Sequence, residues 1–407
     1  MKKLNLKRYL GLVYILIFAV LTFLFFTNDF GLLDLRKTSV VIGVALDVED
    51  EEVVLTAQLA VPQPAENGEN TKFNIITGRG ESVAAALNEV NVKTGFYPKM
   101  VFCKLILLGE SSFGKDINTL LDYFYRNEYT GLTLSVAACQ GKASELIAQQ
   151  FPCGNSATDV IVKLLSHEAE ASGNVVTTNV KELGEQIFSK SKTAYMPYLE
   201  NGILDESGGE EGGGSGGSGG GGSSGSGGSG GGGGGSQQCE ESELTCNKCA
   251  VFSEGYFKGV LPVDETFALS LLFRDVSHAF FKSGGEDGFR ILGLRNCKGG
   301  VKLKIEDGKP VAKISFKATT KVQDDKSGFT PEEGKETAVK SEVLKRGEDD
   351  LKELFEKLFN DAKALDCDVF GLKTLLYKNY YKQYEKLEKE VVSDARLSCE
   401  VKLKSSA

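Results

Sequence analysis

Residues 109 to 116 read Gly-Glu-Ser-Ser-Phe-Gly-Lys-Asp, a glycine-bounded loop ending in lysine. A loop of this kind, placed after a strand and opening a helix, can cradle phosphate with backbone N–H groups and a cation. The run is one residue short of that pattern, and Asp116 stands where a Ser or Thr hydroxyl would hold magnesium. A carboxylate there sets negative charge beside the phosphates. The structural alternative has Gly109 ending a strand, Ser111 or Ser112 capping the helix, and Lys115 solvated. Gly78-Arg79-Gly80 is likewise a tight turn at a helix N-terminus, able to meet an anion or simply to turn the chain.

Cys246 and Cys249, with Cys239 nearby, form one C-x-x-C pair that in a knuckle could place two thiolates on a metal. No second pair matches it, and on a strand positions three apart face opposite ways, which disfavours joint ligation. The nine cysteines are odd in number and scattered, so they form no disulfide framework. His167 and His278 are the only histidines and fall in helical apolar contexts where packing is the simpler role. Outside the low-complexity tract there is no G-x-S-x-G, and no Cys–His pairing emerges from the pattern. The residues therefore nominate no catalytic, cofactor-binding or metal-binding side chain. Binding, not catalysis, is the expected activity.

Composition sets the frame. The 407 residues are 41% apolar and 25% charged, enough for two or three domains with real cores. The net charge is −9, and Lys2, Lys3, Lys7 and Arg8 precede the first apolar run, leaving −13 for the rest. Such acidity argues against nucleic acid, which needs a basic face.

From Tyr9 to Phe26 only Thr22 is neither apolar, small nor aromatic, giving 18 positions. As a helix these span about 27 Å, close to the hydrocarbon thickness. Four cations before it place the N-terminus in the cytoplasm and residue 30 onward outside. Phe25 and Phe26 end the run without a small-x-small cleavage site, so an uncleaved signal anchor is expected rather than a removed signal peptide.

Beyond it, period-two and β-branched runs predict strands at 39–46, 52–61 and 71–77. Helical spacing follows at Val83, Ala86, Leu87 and Val90, then a strand at 99–108, a helix at 116–125 and a strand at 132–139. This order predicts a mixed sheet with helices packed on it, an α/β (α+β) fold. Helices at 142–149, 157–169 and 180–189 and a strand at 193–199 come next. Residues 208–236 hold 20 Gly, seven Ser and two Glu, with nothing to offset backbone entropy, and are expected to be disordered. Strand-like sequence on both sides favours an inserted loop within one domain over a linker. Strands at 289–294, 301–305 and 311–322 follow, with a turn at Asp307-Gly308-Lys309-Pro310. Leu351, Leu354, Phe355, Leu358, Phe359, Ala362 and Leu365 make one face of a strong amphipathic helix, and its Lys and Glu face is a solvated surface or a partner-binding one. A second helix at 370–384 and a half-buried strand alternating from Ala395 to Leu403 complete the chain.

Read in order, several stretches resemble the Ger(x)C family, the C subunits of bacterial spore germinant receptors. They are Leu33-Asp-Leu-Arg36, Val40 to Asp47, Thr77 to Glu81, Leu105 to Gly109, Ala250-Val-Phe252 with Gly259-Val-Leu261, and, most family-like, Asp366-Cys-Asp-Val-Phe-Gly371 with Leu375-Leu-Tyr377. The resemblance runs from about 33 to 404, leaving out the Gly tract. It implies about three small α/β domains, here taken as 36–141, 142–284 (interrupted by 208–236) and 285–405, after a cytoplasmic segment 1–8 and an anchor 9–26. It further implies a non-enzymatic receptor subunit on the outer face of the inner membrane, working with a polytopic A subunit and a transporter-like B subunit. Family members typically carry a lipidated cysteine ahead of a Trp-Asp pair, whereas this chain reads Gly31-Leu-Leu-Asp34, so the helix would replace the lipid as tether. A tethered extracytoplasmic module that binds a ligand or metal outside any receptor is the competing reading.

Overall fold

The computed structural model describes residues 6–27, 38–60, 73–151, 156–201, 244–285, 288–325 and 339–406. The first helix, α1 (Leu6–Thr27), has side chains described at Gly11 and from Val13 to Phe23, nearly all exposed. Among the described residues no helix is long and apolar enough to cross a membrane. The expected transmembrane anchor therefore gains no support from the described side chains.

Val41, Val44, Ala45 and Leu46 are buried on both faces of β1 (Thr38–Glu49), which marks a central strand. A tight turn at Asp50 and Glu51, both with positive φ, returns the chain as β2 (Glu52–Ala60), and β3 (Phe73–Gly80) pairs outside it. On the other side of β1 lie β5 (Leu105–Gly109), β6 (Ser135–Cys139) and β7 (Thr193–Asn201), all parallel to it, then β8 (Leu244–Ser253), antiparallel to β7, and β9 (Tyr256–Leu261), antiparallel to β8. The short β4 (Tyr97–Lys99) pairs with the start of β1 and completes a nine-stranded mixed sheet.

Both faces of this sheet are covered. Val83, Ala86, Leu87 and Val90, the expected stripe, are the buried residues of α2 (Val83–Thr94). They share one core with α3 (Ile117–Arg126) and α7 (Val180–Ile187). The opposite face carries α4 (Ala143–Ala148) and α5 (Ala157–Leu164) on Ala45, Leu105, Leu107 and Ala137. A second sheet, in order β10 (His278–Gly285), β11 (Gly288–Glu306), β12 (Lys309–Asp325) and β13 (Arg396–Ser405), packs with α8 (Val263–Phe273) and α9 (Ser341–Ala364). Leu351, Phe355, Leu358, Phe359 and Ala362 face that core as expected, while Leu354 and Leu365 are only partly buried.

Four details differ from the sequence reading. The strand expected over 99–108 is broken by a β-turn in which the Cys103 amide donates to the Met100 carbonyl at 3.0 Å; no glycine or proline signals it. The helix expected over 157–169 stops at Leu164 and restarts as α6 (His167–Ala171), because Ser166 caps the new start. The second C-terminal helix divides at Tyr380 into α10 (Leu372–Asn379) and α11 (Tyr381–Leu387). The strands at 289–294 and 301–305 are one long strand, β11, with an irregularity between Arg295 and Lys298.

Residue 141, taken as a domain boundary, lies between β6 and β7 of one continuous sheet. The tract 208–236 lies outside the described residues. The strands on its two sides pair antiparallel, Asn201 opposite Leu244, as an insertion between neighbouring strands requires.

Candidate functional site

The phosphate-loop candidate sits at the carboxyl end of β5, where such a loop belongs. Its groups are already committed to the protein. Residues Glu110–Gly114 wind into a 3-10 turn, with Ser112 Oγ donating to the Gly109 carbonyl at 2.6 Å. Ser111 Oγ donates to Asp47 Oδ1 at 3.1 Å and accepts from the Val48 amide at 3.1 Å. Lys115 Nζ donates to the Glu51 carbonyl. Asp116, not a serine, caps α3 by accepting from the Asn118 amide at 2.9 Å, while the Ile117 amide donates to the Gly255 carbonyl at 2.9 Å.

Asp47 explains why the loop has this form. It is buried, and its carboxylate accepts from the Ala143 amide at 3.0 Å and the Ser144 amide at 2.8 Å, closing the N-terminus of α4. Gly109 makes room for this. A Cβ there would lie 2.0 Å from Asp47 Oδ1 and 2.8 Å from the Ala143 nitrogen. The glycine serves close packing of backbone on carboxylate, and the anion bound at a helix N-terminus is the protein's own. Gly78 and Gly80 have the same character, since a Cβ on either would strike the backbone of α2 at Ala86. Arg79 between them pairs with Glu49 at 2.7 Å.

The C-x-x-C pair divides between two cores, Cys246 in the one beneath α4 and α5, Cys249 in the one shared with the second sheet. Burial pushes the Cys246 thiol up to about 12 and the Cys249 thiol higher still. Both sit as buried thiols in apolar surroundings. Cys239 lies outside the described residues. Among the described residues no three His, Cys, Asp or Glu side chains gather as a metal site. The histidines are not packed as expected: His167 is exposed at the start of α6, and His278 is exposed on β10, 2.8 Å from Ser277 Oγ.

The family-like stretch Asp366 to Gly371 does bring functional groups together. Asp368 is buried, and its two carboxylate oxygens accept from the Leu372 and Lys373 amides, each at 2.7 Å, forming the N-terminus of α10. Burial raises its carboxyl above the ordinary range, opposed in part by those N–H groups. Gly371, at φ 70°, supplies the left-handed residue that starts the helix. The Asp368 amide donates to Thr193 Oγ1 at 3.0 Å, and Ser191 and Thr374 join hydroxyl to hydroxyl at 2.8 Å. This cluster stitches the C-terminal unit to the start of β7.

Beside the seam lies a groove of about 390 Å³, bounded by Glu182 and Gln186 of α7, Tyr195 of β7, Phe273, Arg274 and Phe370. Arg274 crosses its wall, with Nη1 3.0 Å from Glu182 Oε2, Nε 3.4 Å from Glu170 Oε1 and its guanidinium 5.7 Å from the Tyr195 ring. A second buried charge, Glu265 on α8, meets Lys357 Nζ of α9 at 2.6 Å. Neither Arg274 nor Glu265 stands out in the sequence, because both partners are remote along the chain. The groove offers hydrogen-bonding edges and paired charges, with Ser191 and Asp368 also on its lining.

No curated protein matches the chain. Residues 33–201 match the spore germination protein N-terminal domain, and residues 247–405 match the domain described as spore germination B3/GerAC like, C-terminal. The crystal structure of the GerBC protein is similar in fold, with a TM-score of 0.50 at 15% identity, covering 90% of this chain and 97% of that one. With two profiles of one family matched in order on either side of the Gly tract, the chain belongs to the Ger(x)C family of spore germination proteins.

Proposed function

We propose that this protein is a non-enzymatic subunit of a membrane-associated spore germinant receptor, acting in nutrient-triggered germination beside a polytopic A subunit and a transporter-like B subunit. Membership of the family, carried by both domain profiles, is the observation on which the reading rests. The internal hydrogen bonds of Ser111, Ser112, Lys115 and Asp116 at the candidate loop support the non-enzymatic part. The helix α1 serves as the tether: its 22 residues would extend about 33 Å, and its sequence is apolar from Tyr9 to Phe26. The four cations before that run orient the bulk of the chain outward.

Two variants in a germination assay test this. Lys115→Ala should leave germination intact, because Lys115 holds only a backbone carbonyl. Deleting residues 1–27 from a protein exported by other means should abolish it. Loss of germination by Lys115→Ala, with protein folded and membrane-bound, would replace this reading with nucleotide or anion chemistry at 109–116. Orientation is checked by labelling Asn70→Cys with an impermeant thiol reagent, against the parent protein. Labelling only after lysis would contradict the outward placement.

A further inference from the structure

Because β1, β5 and β6 run parallel, with Gly43 opposite Leu105 and Leu105 opposite Ser135, the chain enters all three at one end of the sheet. Three segments meet there. Thr38 is where the described chain begins after α1, Tyr97 pairs directly with Thr38, and the loops before β5 and β6 flank them. These loops carry Phe96, Tyr97, Val101, Phe102, Tyr129 and Leu132, each between 41% and 53% exposed.

The turn at Met100–Cys103 is the sharpest part of this surface. Its outer residues Met100 and Cys103 are buried, and its two central residues, Val101 and Phe102, point outward. Turn centres ordinarily take Gly, Pro, Asn, Asp or Ser. An apolar pair held out by two buried anchors is not explained by the turn. Lys99 ties the surface together, its Nζ 5.3 Å from the Tyr97 ring centroid and 5.0 Å from that of Tyr129. Scattered exposed apolar residues need no explanation, but a contiguous aromatic group around a lysine does.

We propose that this end of the sheet rests on the lipid bilayer, with Val101 and Phe102 inserted at the interface and Tyr97, Tyr129 and Lys99 at headgroup level. The inference rests on the tether reading above. Ten residues separate Thr27 from Thr38, and ten residues reach at most about 36 Å. The surface beside Thr38 is therefore held near whatever membrane holds α1. Aromatic rings with one apolar and one wet side, and a lysine whose stem lies along them, suit the interfacial zone. Glu128, beside Tyr129, is one carboxylate at this surface, so insertion is carried by the apolar tip and not by net charge.

The chain has no tryptophan, so a single introduced one reports its own surroundings. Full-length protein is reconstituted in phosphatidylcholine and phosphatidylglycerol vesicles with and without acyl-chain bromination. Phe102→Trp reads the tip and Phe18→Trp reads the tether. Glu52→Trp, beside the β1–β2 turn, reads the far end of the same sheet, about 36 Å away along β1. The expected result is blue-shifted emission from Phe102→Trp that loses most of its intensity to bromolipid, while Glu52→Trp loses none. Emission from Phe102→Trp that matches Glu52→Trp, with Phe18→Trp quenched, keeps the tether and overturns lipid docking, leaving the surface to a protein subunit. Failure of quenching at both Phe18→Trp and Phe102→Trp overturns the tether and the docking together.

Discussion

Replacing Asp368 tests whether the family-like Asp366 to Gly371 stretch is a seam or a site. In Asp368→Ala, the Leu372 and Lys373 amides both lose an acceptor held at 2.7 Å. Hydrogen bonds to a charged group contribute about 1.5–3 kcal/mol each, and loss of a helix cap about 1 kcal/mol. Three considerations reduce the sum. The Lys373 amide is half-buried and can take water, the two figures overlap, and removing a buried carboxylate recovers part of its desolvation. About 2–3 kcal/mol remains. Asp368→Asn keeps one carbonyl oxygen and should cost about half as much. At about 2–4 °C per kcal/mol for domains of this class, the Ala variant should melt about 5–10 °C lower and the Asn variant about midway. Circular dichroism of full-length protein at a fixed scan rate measures this, as unfolding of a chain this large need not be two-state. An Ala variant that melts with the parent, yet fails to support germination, would refute the stitching role and make Asp368 a contact residue.

Gly109→Ala drives a methyl into Asp47 and the backbone at the start of α4, and should cost about 1–3 kcal/mol in thermal stability; an unchanged melt would mean that α4 shifts freely. Exchanging residues 208–236 for a short Gly-Ser turn should leave stability within about 1 kcal/mol, because β7 and β8 already pair and loop length enters only logarithmically; a loss of several kcal/mol would show that the tract docks. Burial and the neighbouring Glu265 raise the Asp361 carboxyl above its ordinary value, so the folded protein holds that proton more tightly than the unfolded chain. Its stabilising contribution is then present below the ordinary carboxylate value of about 4 and lost as pH rises through the raised one. Asp361→Asn should therefore gain on the parent as pH rises through that window, and parallel pH–stability curves would count against the effect.

Local pattern carried much of the architecture. The spacing of Val83, Ala86, Leu87 and Val90, or of Leu351, Phe355 and Leu358, names a buried face because helical period is a property of neighbours. The alternation flanking the Gly tract likewise marked two strands that do pair. What the pattern lacks is strand order. Nothing between residues 50 and 104 announces that β1 lies between β2 and β5, and so the sheet's continuity past residue 141 could not be read. The turn at Met100–Cys103 was hidden because its residues are strand formers. At the candidate loop, the strand–turn–helix context was legible, but its satisfaction by Asp47, more than 60 residues away, was not. Arg274 and Glu265 look like surface residues until the helices bearing their partners are in place.

The position of β1 also decides how the molecule answers a pull. It is an interior strand, paired antiparallel with β2 along nearly its whole length and parallel with β5 on its other side. A force applied along the strand axis at Thr38 loads the ladders on both sides in shear, so they resist as a set. An edge strand would instead unzip one bond at a time. Forced rupture is a matter of rate, and shear loading makes that rate slow. A pull at this point is thus met by an interior strand paired on both sides.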